Sequence, residues 1–298
     1  MGLGLVLLEA GTPRGWLSVV TALVSLVPVA LAFALGGPLA AGMAVVIAVA
    51  GAAALLGGSA AVVVALKHAF PGLSLGLVLA RRASLPTSLV VVSATSMLAL
   101  AALLWVFAPA GTSPLALLQR QLDAHVADLE QLPARLGMAG DPGWAADSAR
   151  DSARMVASTL RVAGPGIVLV GLLMGALVNY VVARLCVRGG GFRPFSDEAV
   201  SDHLVWGVIV GGLLVASRHW GLERLGINLL IVLAPLYAIQ GLAVLRHFFK
   251  RVRVPRALQV VSFGLFAVQP LMLIAVACVG LSDLWIDFRK IRQAPTAA

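Results

Sequence analysis

Long, uninterrupted apolar runs are the feature that most restricts how this chain can fold. The run Trp16–Gly36, for example, contains no charged side chain. A helix needs about 20 apolar residues to cross about 30 Å of hydrocarbon. The composition agrees, because 60% of the 298 residues are apolar and 12% are charged, whereas a soluble domain has about 45–50% and about 25%. A soluble or disordered chain is excluded, and so is a nucleic-acid-binding module despite a pI of about 10.9. The sequence predicts an integral membrane protein.

The expected fold is all-α, a polytopic transmembrane helical bundle that forms a single membrane domain over residues 1–298. The runs are continuously apolar, whereas the strands of a membrane barrel alternate in polarity. Eight spans are expected: Trp16–Gly36, Pro38–Leu56, Ser59–Ala80, Leu85–Phe107, Pro165–Leu185, Leu204–Ala216, Asn228–Leu245 and Ala257–Leu281. The third of these carries Lys67, His68 and the breaker pair Pro71-Gly72, so it is interpreted as a broken span. Seven spans is the alternative, with that stretch as a re-entrant element covered by protein.

One polar region, residues 109–162, separates the spans on either side of it. Ser113-Pro114 is a typical helix start, followed by leucines at intervals of three or four residues, and Asp141-Pro142-Gly143 breaks the pattern. A second helix then begins near Ala145 and carries two Asp-Ser-Ala-Arg repeats, each with an acid three residues before an arginine. The region is predicted to be an amphipathic helical hairpin at the membrane surface. A gating or partner-binding lid is the alternative.

The distribution of basic residues predicts the orientation. In the eight-span arrangement, ten cations fall in three short loops that share one side: Arg81, Arg82, Arg184, Arg188, Arg193, Arg246, Lys250, Arg251, Arg253 and Arg256. Short basic loops face the cytoplasm, so this side is expected to be cytoplasmic, with both termini and the hairpin outside. The tail residues Arg289, Lys290 and Arg292 oppose this assignment, because they then fall on the outer side.

Ionisable and polar side chains inside the spans are the candidate functional residues. Lys67 and His68 lead, since charge at membrane depth is costly and interrupted helices hold substrates in transporters; the alternative is that Lys67 reaches to an interface. Asn179, Tyr180, Asn228 and Gln240 also lie in apolar helices. They are expected either to line a substrate site or to form interhelical hydrogen bonds.

No catalytic or metal-binding motif appears in the sequence. The five histidines are scattered, and neither a G-x-S-x-G nucleophile motif nor a phosphate-binding Walker A lysine motif occurs. The protein is therefore expected not to be an enzyme and to carry no cofactor or metal. Any ATPase that drives transport must be a separate chain.

The most distinctive string ends the chain, where Asp283, Trp285, Asp287, Phe288, Arg289 and Lys290 follow the last apolar run. If the helix continues, Asp283 and Asp287 share one face at a spacing of four residues. Asp287 is then expected to pair with Arg289 or Lys290, or with Arg218 or Arg224 across a loop. The string is predicted to be either an aromatic-belt anchor or a docking element for a partner.

This string, G-x-x-D-x-W-x-D-F-R-K, resembles the C-terminal signature of the YybS-like family of bacterial inner-membrane proteins. Further segments resemble the family in order, namely FPGLSLGLVLARRASL, Phe192-Arg193-Pro194-Phe195 with the following His203–Gly207, and Asn228–Leu230 with Gln240–Ala243. The resemblance covers roughly residues 60–292. The family is similar in hydropathy layout to the substrate-binding S components of energy-coupling-factor transporters, a fold-level analogy.

That resemblance implies a subunit that binds and takes up a small molecule in the lipid bilayer. Its partners would be a separate transmembrane coupling subunit and ATPases. No matched position is an established substrate ligand, so none is carried over. The alternative function is a non-transporting membrane scaffold or regulator, which a closed bundle without a cavity at Lys67, His68 or Asn179 would favour.

Overall fold

A computed structural model describes residues 24–109, 111–135, 144–187 and 191–290, and within these ranges the chain is helical without any strand. The helices are α1 (Val27–Leu56), α2 (Gly58–Ala80), α3 (Leu85–Val106), α4 (Pro114–Arg135), α5 (Trp144–Cys186), α6 (Leu204–Ala216), α7 (Trp220–Arg251), α8 (Arg256–Val268) and α9 (Pro270–Ile286). The all-α prediction is confirmed. It follows from the apolar runs, because a helix satisfies its own backbone hydrogen bonds in hydrocarbon.

Five helices in the described ranges are long and apolar enough to cross a membrane, namely α1, α2, α3, α5 and α7. The count rises to six if α8 and α9, which are bent by 105° relative to each other, form one span. The expected eight spans are not confirmed. The helix α6, expected as a span, has 13 residues, and residues 1–23, which hold the first eight residues of the first expected span, lie outside the described residues.

The expected boundary at Gly36-Gly37-Pro38 coincides with a break inside α1. Gly37 has φ 76° and ψ −173°, which is outside the helical region, and glycine reaches positive φ without the steric penalty of a Cβ. A second such glycine, Gly57 at φ 94°, separates α1 from α2. The turn residues of the sequence therefore mark real interruptions of the helices.

The interpretation of residues 59–80 as a broken or re-entrant span is wrong. The helix α2 is continuous over 23 residues, with a π-helical stretch at Val64–Ala69 directly before Phe70–Ala80. Pro71 lacks an N–H and its ring crowds the preceding turn, and the wider π-helical turn accommodates both effects without ending the helix. Lys67 and His68 lie in this π-helical stretch.

The polar region forms α4 and the start of α5. The second helix of the predicted hairpin does not end before Pro165, where the next span was expected to begin. The Ser113 hydroxyl accepts a hydrogen bond from the Ala116 N–H at 3.2 Å, as predicted for a helix start. The helix α5 then runs for 43 residues with Pro165 in its interior, so the hairpin arm and the following span are one helix. The predicted break at Asp141-Pro142-Gly143 lies outside the described residues.

Close helix crossings depend on glycine. Gly72 of α2 packs on Val29 and Gly76 packs on Phe33, so the first part of α1 runs parallel to α2. Where α7 crosses α9, a Cβ on Gly280 would overlap the Tyr237 carbonyl oxygen. Small residues at such positions let helix backbones approach closely in a membrane.

Three helices end together at one face of the bundle. Arg82, just beyond α2, and Arg184, in the last turn of α5, place their guanidinium groups 5.9 and 4.9 Å from the centroid of the Phe192 ring. Lys250, near the end of α7, donates a hydrogen bond to the Ser196 hydroxyl at 2.9 Å. We call this face, formed by the ends of α2, α5 and α7 and by loop 191–203, the basic end.

The chain returns to the basic end after α9, so the expectation that its tail lies on the outer side is wrong for the described residues. Arg289 donates a hydrogen bond to the Ser196 carbonyl oxygen at 2.8 Å, and the Phe288 ring lies 6.3 Å from that of Phe248 on α7. The bent pair α8 and α9 therefore leaves the basic end and comes back to it. Arg289 and Lys290 then join the other cations instead of opposing them, and the positive-inside rule favours a cytoplasmic basic end more strongly.

We predict that both ends of the α8–α9 segment face the cytoplasm. With Cys186 and Cys278 replaced by serine, Lys290→Cys and Arg256→Cys should both be shielded from a membrane-impermeant thiol reagent in intact cells. Arg218→Cys, in the turn after α6, should react, because α6 leads the chain away from the basic end. A reactive Lys290→Cys beside a shielded Arg256→Cys would contradict the return of the chain.

Candidate functional site: a cavity beside Lys67

A cavity of about 210 Å³ opens between the start of α1 and helices α2, α3 and α5. Its lining combines leucine, alanine and glycine with a few polar groups: Ser25, Leu26, Lys67, Ser96, Ala99, Leu100, Leu103, Gly171, Leu172, Gly175, Ala176 and Asn179. A mostly apolar pocket with a few convergent polar groups is typical of a small-molecule site. The alternative of a closed bundle, which would have favoured a scaffold, is not what the described residues form.

The π-helical stretch of α2 places Lys67 in the cavity wall. Among the lining residues that the structure describes, Lys67 is the one ionisable side chain. It is exposed, whereas the adjacent His68 is 6% exposed and is not among these lining residues. Ser74 of α2 and Thr95 of α3 share a hydrogen bond of 2.8 Å, which joins the two helices beside this wall. This hydrogen bond fixes α2 against α3 about two helical turns from Lys67.

Asn179 both lines the cavity and holds it together. Its Oδ1 accepts a hydrogen bond from the Leu26 N–H at 3.0 Å, and its Nδ2 donates to the Gly175 carbonyl oxygen at 2.8 Å. The Leu26 N–H belongs to the first turn of α1, where helical N–H groups have no partner within the helix. The amide thus supplies that partner and fixes the start of α1 against α5.

The other polar candidates lie away from the cavity. Asn228 accepts from the Gly166 N–H and donates to the Val162 carbonyl oxygen at 2.9 Å, so it joins α7 to α5 near Pro165. Tyr180 is buried beside Asn179 and does not line the cavity. The structure thus brings together Lys67 and Asn179, whereas Asn228 forms the interhelical hydrogen bonds that were the alternative.

Gln240 belongs to a second polar cluster, which is buried at the basic end. Asp283 and Arg289 form an ion pair of 2.8 Å, with side chains 3% and 2% exposed. Gln240 donates to Asp283 at 3.2 Å and accepts from the Val200 N–H at 3.0 Å. We call Gln240, Asp283 and Arg289 the C-terminal lock, because together they tie loop 191–203 and the end of α9 to α7.

The lock satisfies backbone groups of an irregular segment. Arg289 donates from one nitrogen to the carbonyl oxygens of Ser196 and Glu198, at 2.8 and 2.7 Å. Non-helical backbone that is buried in a membrane protein needs such partners within the protein. The guanidinium can serve several acceptors at once because it presents five N–H donors in a planar arrangement.

Glu198 is a buried acid that the sequence reasoning missed. It is 1% exposed, and its Oε2 accepts from the Leu85 N–H at 2.9 Å at the start of α3. Burial raises the pKa of Glu198 above its ordinary value of 4.5, while the Leu85 hydrogen bond and the nearby Arg184 and Arg193 act in the opposite direction. In the sequence Glu198 is one acid in a short polar loop. Its partner Leu85 is 113 residues away in the chain, so no local sequence pattern indicates the contact.

The expected geometry of the C-terminal string is wrong. The helix α9 ends at Ile286 and Asp287 adopts a left-handed conformation at φ 44°, so Asp283 and Asp287 do not share a helical face. Asp283 forms a buried ion pair with Arg289, so it lies inside the bundle rather than at its boundary. Arg218 and Arg224, the cross-loop candidates, lie away from the basic end, since Arg224 donates to the carbonyl oxygen of Arg161 in α5.

The string also divides into buried and accessible residues. Asp283 and Arg289 are buried and bonded to the chain itself, whereas Trp285 is 68% exposed and Lys290 is exposed. Only the accessible residues are placed to contact lipid or a partner. Across the described ranges, no three His, Cys, Asp or Glu side chains lie close enough together to hold a metal ion.

Comparison with known proteins identifies a family and nothing narrower. A family model described as "Predicted membrane protein (DUF2232)" matches residues 5–284. No curated protein and no solved structure matches the chain.

We predict that Asp283→Asn lowers the free energy of unfolding by about 3–5 kcal/mol, because breaking a buried ion pair leaves the other charge uncompensated. The matched exchange Asp287→Asn, at the half-buried end of α9, should have a clearly smaller effect. Unfolding of the purified proteins in mixed micelles measures both losses. Equal losses in the two variants would show that the buried pair is not what stabilises this end.

Glu198 should make stability depend on pH. Because its pKa is raised in the folded protein, stability falls as the pH rises from about 4.5 through the folded pKa, as the buried carboxyl ionises. Glu198→Gln keeps an acceptor for the Leu85 N–H but cannot ionise, so its melting temperature relative to the wild type should increase across this window. Asp197→Asn, at the exposed neighbour, serves as the control, and a difference that does not change with pH would contradict the assignment.

Proposed function

The chain belongs to the DUF2232 family of predicted membrane proteins, and we propose that it is a membrane subunit that binds a small molecule inside its helical bundle for uptake. The observation that carries the proposal is the cavity of about 210 Å³ lined by Lys67 and Asn179. The resemblance to S components of energy-coupling-factor transporters points the same way. Under this proposal the present chain binds the ligand, and a separate transmembrane coupling subunit with ATPases supplies the energy.

The depth of the cavity supports uptake from outside. Lys67 lies in the half of α2 that is away from the basic end, and Ser96 and Leu103 lie in the corresponding half of α3. Asn179 lies seven residues before the end of α5 at the basic end, so the cavity extends from about the middle of the bundle in both directions; with the basic end in the cytoplasm, its Leu103 side faces outward. A ligand entering from the outside would reach it without crossing the C-terminal lock.

The sequence lacks the motif by which an ATPase cradles nucleotide. A Walker A lysine motif, which cradles nucleotide phosphates, does not occur in the 298 residues. An ATPase that drives transport, as the resemblance to S components implies, is therefore a separate chain, and a coupling subunit connects it to this one.

A non-transporting scaffold or regulator is the second candidate, and the C-terminal lock favours it. The buried pair of Asp283 and Arg289 fixes loop 191–203 and the end of α9 at the basic end. A face that is fixed in this way suits the constant presentation of a surface to a partner protein. The two candidates differ in whether the cavity is occupied.

Native mass spectrometry of the protein, extracted mildly from its own membrane, tests the proposal. We expect the wild type to carry an additional small mass that is released on unfolding. Leu100→Trp, which fills the cavity, should lose that mass, whereas Leu98→Trp, at a residue of the same helix that is 58% exposed, should keep it. A wild type that carries partner chains but no small mass would favour the scaffold instead.

A further inference from the structure

We propose that the basic end binds the headgroup of an anionic glycerophospholipid, whose phosphate is held by the guanidinium group of Arg246 with the Lys250 ammonium beside it. Both residues belong to α7, and neither is among the described lining residues of the cavity beside Lys67. The lipid site is therefore independent of what the cavity binds.

The Arg246 side chain has no partner within the part of the chain that the structure describes. Its Nε is buried without a hydrogen-bond partner, and no hydrogen bond or ion pair joins its guanidinium group to another described residue. A buried charged donor that stays unpaired is costly, and arginine cannot lower the cost by losing its proton. An unpaired group of this kind in a folded protein points to an acceptor from outside the chain.

Arg246 lies at the depth where α7 leaves the hydrocarbon. Residues 225–245 carry no charged side chain, and a run of about 20 such residues crosses about 30 Å of hydrocarbon. Arg246 is the first charged residue after this run, and α7 continues from it to Arg251 at the basic end. The guanidinium group is therefore level with the lipid headgroups, whose phosphates lie directly outside the hydrocarbon.

Lys250 adds a second cation one helical turn further out. Residues four apart share a helix face, so Lys250 lies above Arg246 on α7. Lys250 is exposed, and it donates one hydrogen bond to the Ser196 hydroxyl at 2.9 Å, whereas an ammonium group has three N–H donors. The planar guanidinium group can bind two phosphate oxygens at once, and lysine acts as a point charge beside it.

The depth and the charge together select the lipid. Basic pockets between transmembrane helices on the cytoplasmic side bind anionic headgroups. A free phosphate or an acidic side chain of a soluble partner would have to pass the exposed Lys250 and Arg251 to reach Arg246, whereas a lipid phosphate is already at that level. A choline headgroup would bring its own positive charge towards Lys250, so an anionic lipid is favoured over phosphatidylcholine.

Titration of the delipidated full-length protein in detergent with phosphatidylglycerol or phosphatidylcholine of the same acyl chains tests the proposal. Native mass spectrometry reports the fraction with the first lipid bound. We expect phosphatidylglycerol to bind the wild type about tenfold or more tightly than phosphatidylcholine, and Arg246→Gln to lose this preference. The matched control Arg251→Gln removes the same charge at an exposed residue of the same helix and should change the affinity by less than about twofold. Inorganic phosphate should not displace the lipid.

Each other result overturns a stated part of the proposal. Equal losses in Arg246→Gln and Arg251→Gln would assign binding to the diffuse charge of the basic end and remove the site. Equal affinity of the wild type for the two lipids would overturn the anionic class, and displacement by inorganic phosphate would overturn the lipid.

A second measurement keeps the test valid if the variant is poorly folded. Phosphatidylglycerol should raise the melting temperature of the wild type but not that of Arg246→Gln, and melting without lipid establishes that the variant is folded. If Arg246→Gln does not fold, Arg246→Lys replaces it, because lysine keeps the charge but lacks the planar fork. Arg246→Lys should bind phosphatidylglycerol more weakly than the wild type, and an unchanged affinity would overturn the role of the guanidinium group.

Discussion

The bundle depends on a single constraint, that backbone N–H and C=O groups away from water need partners within the protein. Helices meet it along the apolar runs, and side chains meet it where the helices stop. Asn179 serves the first turn of α1, Glu198 serves the first turn of α3, and Arg289 serves the irregular backbone of loop 191–203. Each of these polar residues is buried because a backbone group needs it there.

The same constraint separates structural polar residues from candidates for binding. Asn228 and Gln240 bond to backbone atoms of other segments, so their polarity is explained by packing. Lys67 has a different setting, because it lies in the wall of a cavity rather than at the end of a helix or in a loop. The cavity and the C-terminal lock occupy different depths of the bundle, and one can be altered without rebuilding the other.

The sequence predicts what depends on local pattern and misses what depends on distant contacts. Continuous apolarity predicts helices in a membrane, the glycines at Gly37 and Gly57 mark their interruptions, and Lys67 is recognisable as a charge among apolar neighbours. The continuity of α2 through Pro71 and of α5 through Pro165 is missed, because a proline pattern alone does not show whether a π-helical turn or a neighbouring side chain accommodates it.

The C-terminal lock could not be read from spacing either. Asp283 and Arg289 are six residues apart, which is not a helical pairing distance, and they meet because the chain turns in a left-handed conformation at Asp287. Glu198 reaches α3 from a loop more than a hundred residues later in the chain. Such pairs are fixed by tertiary structure, so a sequence shows the residue types but not the partners.

The length of α5 gives the molecule a mechanical connection between the two sides of the membrane. At 1.5 Å per residue, its 43 residues span about 65 Å, roughly twice the thickness of the hydrocarbon. One end packs against α4, a middle part forms part of the cavity wall, and the other end carries Arg184 to the Phe192 ring at the basic end. A tilt of the arm beside α4 is therefore passed along one continuous helix to the basic end, and Pro165 is the point where this helix can bend.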